Sequence, residues 1–288
     1  MLGYLALAAG LTVGCVPKVG AQQLENHLYP PVEFDVGGTV LRLSETIRID
    51  PQNRPELGTE INVENDLGLS RNTVQPRLAF RWRPGCTRIR RHELEVGFFL
   101  AKRSAEKTLD RTIQFRDTTF TLGAQVKSDI GTSQFFVNYR FAFTAHENTQ
   151  IGFTVGLGAI FFRSELDALR AVDNPQVQFA DTSKFTAPVG SVGLYGRFRL
   201  GNRWYLEPDL RAMYVKISNI KAGVLEGGAA VRYFFSNTIG AELGYGLGFY
   251  KVTLETPESG SSGFLGIDVH GKVKYTVNGL RGGVVFQF

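Results

Sequence analysis

Asp268 and His270 stand two residues apart, with Ser261 and Ser262 a short way upstream. A Ser, a His and a carboxylate are the parts of a nucleophilic hydrolase, and an extended strand would put Asp268 and His270 on one face. No Ser lies two residues from His270, however; Asp268 and Lys272 hold those positions, and the even positions of this segment read as its outward face. A polar residue at the base of a loop is the expected reading, and no residue is assigned a catalytic role.

Glu60, Asn62, Glu64 and Asp66 recur at every second position and could offer oxygens to a hard cation such as Ca²⁺. The spacing and glycine of an EF-type loop are absent, so a solvated acidic loop is expected and no metal site is assigned. The two cysteines are Cys15 and Cys86. A signal cut after Ala21 would leave Cys86 alone in the mature chain, which excludes an internal disulfide and a Cys-based metal cluster. No Gly-rich phosphate loop lies between a strand and a helix, and no cofactor is expected.

The largest set of reactive types is a series of charges that alternate with apolar residues. Arg42, Arg48, Arg77, Arg81, Arg140, Arg197, Arg199, Arg211, Arg232 and Arg281 belong to it, with Glu93, Glu95, Glu207, Asp209, Glu226 and Glu242. Charges removed from water must pair, and a small barrel must fill its interior with side chains, so a structural network in a lumen is the expected role. The functional alternative is a narrow polar conduit, in which the Arg excess would favour anions. Glycines on the same face, among them Gly152, Gly156, Gly244 and Gly248, would give long Arg stems room to lie flat.

Such a lumen needs strands whose alternate residues face opposite ways, and ten segments have that pattern. They run over about 39–50, 72–84, 92–103, 130–144, 150–164, 185–200, 203–216, 222–236, 238–254 and 272–288. Each reaches the roughly 9–11 residues that a tilted strand needs to cross hydrocarbon. The segment 203–216 decides the faces. Its even positions include Trp204, Leu206, Leu210 and Tyr214, and its odd positions include Glu207, Asp209 and Arg211, so the odd face turns inward. The first segment is read with Leu41, Leu43, Ile47 and Ile49 outward, interrupted by Glu45.

Odd-numbered connections are mostly long and even-numbered ones tight, and Trp82, Phe143, Trp204, Phe235, Phe286 and Phe288 gather at one set of strand ends. Outer-membrane barrels show both features, with short turns on the periplasmic side. The fold expected is therefore all-β, a closed antiparallel transmembrane barrel of ten strands, with eight as the alternative because the connection at 217–221 is short. No run of about 18 apolar residues follows the first 21, so a helical span is excluded. Residues 1–21 read as an export signal, 22–38 as a periplasmic lead-in with Pro30 and Pro31, and 39–288 as the barrel.

The composition fits, with 33 Gly, 22 Phe and 10 Tyr in 288 residues. A net charge of +5 without a basic stripe excludes nucleic acid as an expected partner.

The ending Val284-Val-Phe286-Gln-Phe288 closes an alternating strand on an aromatic. It resembles the last strand of bacterial outer-membrane barrels, and the resemblance implies recognition of Val284, Phe286 and Phe288 by the barrel-assembly machinery. The stretches Gly58–Leu69, Pro76–Trp82 and His92–Gly97 resemble the start of a group of proteobacterial outer-membrane proteins, broadly similar to small barrels of the OmpA and OmpW type. That resemblance implies the cell outer membrane as location and a barrel as fold, and no activity. A monomer whose partners are outer-membrane lipids and lipopolysaccharide is expected, with a structural or surface-interaction role.

Overall fold

The computed structural model describes residues 27–51, 57–84, 91–115, 117–170, 180–217, 220–255 and 270–288. The expected export signal, Cys86, Ser261, Ser262 and Asp268 lie outside these residues. In chain order the elements are β1 (Val32–Ile49), β2 (Ile61–Asn62), α1 (Val63–Asp66), β3 (Asn72–Trp82), β4 (His92–Thr108), β5 (Ile113–Phe115) and β6 (Thr118–Phe120). There follow β7 (Gln125–Ala145), β8 (Thr149–Arg170), β9 (Ala180–Arg199), β10 (Trp204–Ile217), β11 (Ile220–Phe234), β12 (Ile239–Leu254) and β13 (Gly271–Gln287).

Ten long strands pair antiparallel with their neighbours, and β13 pairs with β1 from Gly271↔Ile49 to Gln287↔Glu33, which closes the sheet into a barrel. The short connection at 217–221 is a real hairpin, with Ile217 opposite Ile220, so the count is ten and not eight. Closure is what lets β-structure cross lipid, since no edge strand keeps unpaired N–H and C=O groups.

The outward face is apolar from the periplasmic ends upward: Phe286, Val284 and Leu280 on β13, Leu243, Leu247 and Phe249 on β12, and Phe153, Val155 and Leu157 on β8. Trp82, Phe143, Trp204, Phe235 and Phe288 are exposed at the lower rim, as a girdle requires. Strands β7 and β8, with 21 and 22 residues, are about twice as long as a span needs, so their upper halves project beyond the hydrocarbon.

This projection corrects the reading of the first strand. β1 begins at Val32, inside the expected lead-in, and its odd residues face inward throughout. Leu41, Leu43, Ile47 and Ile49 are buried in the lumen, whereas Arg42 is exposed on the outside and Arg48 is half-buried on the same outer face. Two of the expected lumen charges are therefore exterior. Below the bilayer edge the oily face of a strand turns to lipid, but above it water lies outside and the oily face turns inward. On β1 the outward residues change from Phe34, Val36 and Val40 to Arg42, Ser44 and Thr46 at that edge.

The closing strand gives a direct test. Phe288 N–H donates to Val32 O at 3.0 Å and Val32 N–H to Phe288 O at 3.2 Å, so the last residue locks the seam. Replacing both Phe286 and Phe288 by Asn is expected to lower the yield of folded, heat-modifiable barrel severalfold. Unchanged yield would show that neither the oily ending nor its recognition matters.

Candidate functional site

The lumen is built in layers from the periplasmic mouth outward. Residues His27–Pro31 fold under the mouth instead of trailing away from it. Leu28 is fully buried in a cluster with Tyr205, Phe234 and Val285. The His27 ring stacks on Phe234 at 3.9 Å, and its Nδ1 lies 2.7 Å from Gln287 Oε1. Burial lowers the His27 pKa, which favours the neutral ring. Tyr29 reaches the opposite wall, where its hydroxyl donates to His146 O at 2.7 Å, and Arg83 donates to Pro30 O at 2.9 Å. These contacts make a lid.

Above the lid lies the ionic layer. Arg232 contacts Glu242 at 2.7 Å, Glu33 at 2.9 Å, Glu207 at 3.0 Å and Asp35 at 3.3 Å. Arg197 reaches Glu93 and Glu207, each at 3.1 Å, and both guanidiniums are almost completely buried. Arg81 is bound to Glu33 and, at 2.8 Å, to Glu95. Arg83 and Arg140 hold Glu93 at 2.5 and 2.9 Å, and Arg140 also lies 3.9 Å above the Tyr195 ring. Arg77 joins Asp35 at 3.1 Å to Glu242 at 3.4 Å, Arg211 meets Glu95 at 3.2 Å, and Arg281 meets Glu242 at 3.0 Å. Alternation along each strand aims these groups inward, and the register of neighbouring strands brings opposite signs to one height, as where Arg232 stands opposite Glu242 and Arg81 opposite Glu95.

The structure thus joins most of the expected network and changes its charge. Arg77, Arg81, Arg140, Arg197, Arg211, Arg232 and Arg281 meet Glu93, Glu95, Glu207, Asp209 and Glu242 as expected. Arg42 and Arg48 are absent from it, and Arg199 stands at the periplasmic rim, donating to Gly201 O at 3.1 Å. Glu226 bonds the Tyr250 hydroxyl. Glu33 and Asp35, placed in the lead-in by the sequence reading, are central members. Their alternation with Phe34 and Val36 was the available signal. With them included and Arg42 and Arg48 removed, the Arg excess disappears, and with it the electrostatic case for an anion conduit.

Glycines make this packing possible at close approaches. A Cβ on Gly97 would enter the Phe136 ring, and one on Gly244 would press on Arg281 Nε. The expected use of glycine to seat Arg stems holds at Gly244. At Gly97, Gly240 and Gly248 the space goes to aromatic rings.

Above the ionic layer is a chamber of about 180 Å³. Arg77, Arg211 and Arg281 form its floor, Phe136, Tyr250 and Tyr275 part of its wall, and Glu45 and Arg103 its ceiling. The Tyr250 and Tyr275 rings stack at 4.1 Å. The roof is apolar. Ile61, Val63, Leu67 and Leu69 from the first outer loop, with Leu109, Ile113, Phe115 and Phe120 from the second, pack onto Ile47, Val126, Phe162, Leu166 and Val252 at the strand tops. Each such side chain contributes about 1.5–3 kcal/mol when taken fully out of water.

The acidic loop is therefore not simply solvated. Glu64 is buried, accepts from Arg103 at 2.8 Å and from Glu45 N–H at 3.0 Å, and Arg103 also bonds Glu45. Asp66 accepts from Asn62 N–H at 2.7 Å and from Arg111 at 2.6 Å. The one-turn helix α1 turns these acids in different directions, so they do not share a ligand face. His270 does not sit alone at a loop base either: its Nδ1 is 2.5 Å from Asp50 Oδ2, and Asp50 Oδ1 accepts from Gly58 N–H at 2.9 Å. The pair ties two outer loops together at the rim.

No protein-family model and no curated protein matches the chain. Among solved structures, the outer membrane protease OmpT from Escherichia coli is similar with a TM-score of 0.51, at 9% identity over 89% of this chain and 96% of that one. Ail, the attachment invasion locus protein of Yersinia pestis, gives 0.35 at 8% identity over 88% and 98%, and the P. putida toluene transporter TodX gives 0.35 at 9% over 90% and 90%. At these identities the likeness is one of fold, and OmpT carries it. The closed ten-stranded barrel, its lipid-facing belt and its aromatic girdle place this chain in the outer membrane.

Proposed function

We propose that this protein is a closed, non-catalytic barrel of the outer membrane whose outer surface and loops carry its interactions, with lipopolysaccharide and outer-membrane lipids as partners. It acts as a monomer inserted by the barrel-assembly machinery. The likeness of residues 58–69, 76–82 and 92–97 to small OmpA- and OmpW-type barrels supports that placement.

The observation that carries the reading is the double closure of the lumen. Charge pairs and the His27–Pro31 lid fill its lower half, and loop residues such as Phe115 and Phe120 fill its mouth. A solute would have to separate buried ion pairs, each of which leaves an uncompensated charge in a low-dielectric space. The chamber between the two closures favours a second reading, in which a small solute binds there and the protein is a gated uptake route.

Recording from purified protein in a planar bilayer separates the two readings. Closure is expected to give no large steady conductance, with at most brief small events. A stable, wide channel would put the transport reading first.

A further inference from the structure

The outward turn of Arg42 and Arg48 adds two cations to an exterior surface that already carries several. Just above the apolar belt the outward positions hold Lys102 on β4, Lys184 on β9, Lys216 on β10, Lys251 on β12, and Lys272 and Lys274 on β13. On β12, β13 and β1 these cations are concentrated by register. Lys251 stands directly opposite Lys274, which is opposite Thr46, and one step higher Lys272 is opposite Arg48. Like charges directly opposite on one sheet face are destabilising.

Arg48 is held by Asp50 at 3.3 Å. Among the described residues Arg42, Lys251, Lys272 and Lys274 have no carboxylate within ion-pair distance. Glu255, at the top of β12, is taken by Lys221. A sheet that places Lys251 against Lys274 and leaves both without counter-charges is arranged for an anion from outside.

Its shape narrows the choice of anion. A groove of about 560 Å³ runs across these strands. Gly223, opposite Lys251, has no side chain and leaves the gap. Lys251 and Lys274 border it above, hydroxyls come from Ser44, Thr46 and Thr276, and Leu225 and Phe249 lie below where the lipid belt begins. Ammonium and hydroxyl donors suit phosphate oxygens, and the apolar lower edge suits acyl chains.

We infer that the groove on β11, β12, β13 and β1 binds a multiply phosphorylated glycolipid of the outer leaflet, its phosphates on Lys251 and Lys274 with Lys272 one step above them, and its acyl chains along Leu225 and Phe249. This deepens the proposed surface role and rests on the outer-membrane orientation; it does not depend on whether the lumen conducts. The height of the cations decides between membrane lipid and soluble anion. They stand where the hydrocarbon ends, so a ligand with both a phosphate head and a lipid body is selected.

Native mass spectrometry of the full chain in detergent, titrated with diphosphoryl lipid A, tests this. The wild type is expected to retain the lipid, and Lys251→Gln with Lys274→Gln to weaken retention by at least about tenfold. Lys102→Gln with Lys184→Gln, elsewhere on the same ring, is expected to change it little. Heat modifiability establishes that each variant is folded; if the first pair does not fold, Thr46→Ala with Thr276→Ala is expected to weaken retention severalfold. Equal retention by the groove variants would overturn the inference. So would equal retention of dephosphorylated lipid A, displacement by millimolar inorganic phosphate, or equal retention of phosphatidylglycerol, which would indicate a merely anionic surface. A steady channel in the bilayer recording would overturn the closed-lumen reading while leaving these lipid results as they stand.

Discussion

Arg232→Met is expected to destabilise the barrel by about 3–5 kcal/mol, measured by urea unfolding in detergent or lipid vesicles. Met fills much of the space of the Arg stem, so the loss reports charge. Arg232 contacts four carboxylates, Glu33, Asp35, Glu207 and Glu242, and only 1% of it is exposed. Without it Glu33 retains Arg81 and Arg197, and Glu242 retains Arg77 and Arg281, but Asp35 keeps only Arg77, which it shares with Glu242. A buried carboxylate without its partner keeps its desolvation cost and loses the attraction that offset it. Arg281→Met should cost much less, because Arg281 borders the chamber, where 20% of its side chain is exposed. A loss under about 1 kcal/mol for Arg232→Met would mean that the network relaxes or takes up water, and the double closure would no longer explain a silent lumen.

Leu157→Arg is expected to cost about 2–4 kcal/mol in the same assay, as a cation at the bilayer midplane does. Leu157 is 75% exposed and lies midway along the outward apolar run of β8, between Val155 and Phe161. Arg42→Leu, on the same exterior but above the edge, should change stability by less than about 0.5 kcal/mol. The contrast tests where the hydrocarbon ends. If Arg42→Leu were as harmful as Leu157→Arg, Arg42 would belong to the lumen network after all, and the inverted phase of β1 would be wrong.

Much of this architecture was legible in the residues. Alternation has a period of two, and lipid tolerates no charge on the one strand face that it touches, so Glu207, Asp209 and Arg211 on one side of β10 were enough to orient that strand. Neighbouring strands then had to agree, because each pairs in register with the last, and within the lipid belt β3, β4 and β7–β13 turn the charges of the network inward, while the lysines of β4, β9, β10, β12 and β13 stand outward above that belt. The partners within the network were not legible. Alternation says which way Arg232 points, but only closure of β13 onto β1 brings Glu33 and Asp35 to it across 199 and 197 positions of sequence.

The first strand was misread for a physical reason. A pattern of oily and polar residues records which face meets water and which does not, and the solvent outside this barrel changes from lipid to water part-way along each long strand. Ile47 and Ile49 are oily because the loops pack on them, and Leu41 and Leu43 because they line the chamber beneath, not because lipid covers any of the four. Local sequence therefore determined that these segments are strands and that one face of each is sheltered. The tertiary structure alone decided which neighbour shelters each face, since shelter above the bilayer comes from loops such as 61–69 and 109–124, whose contacts depend on the closed ring beneath them.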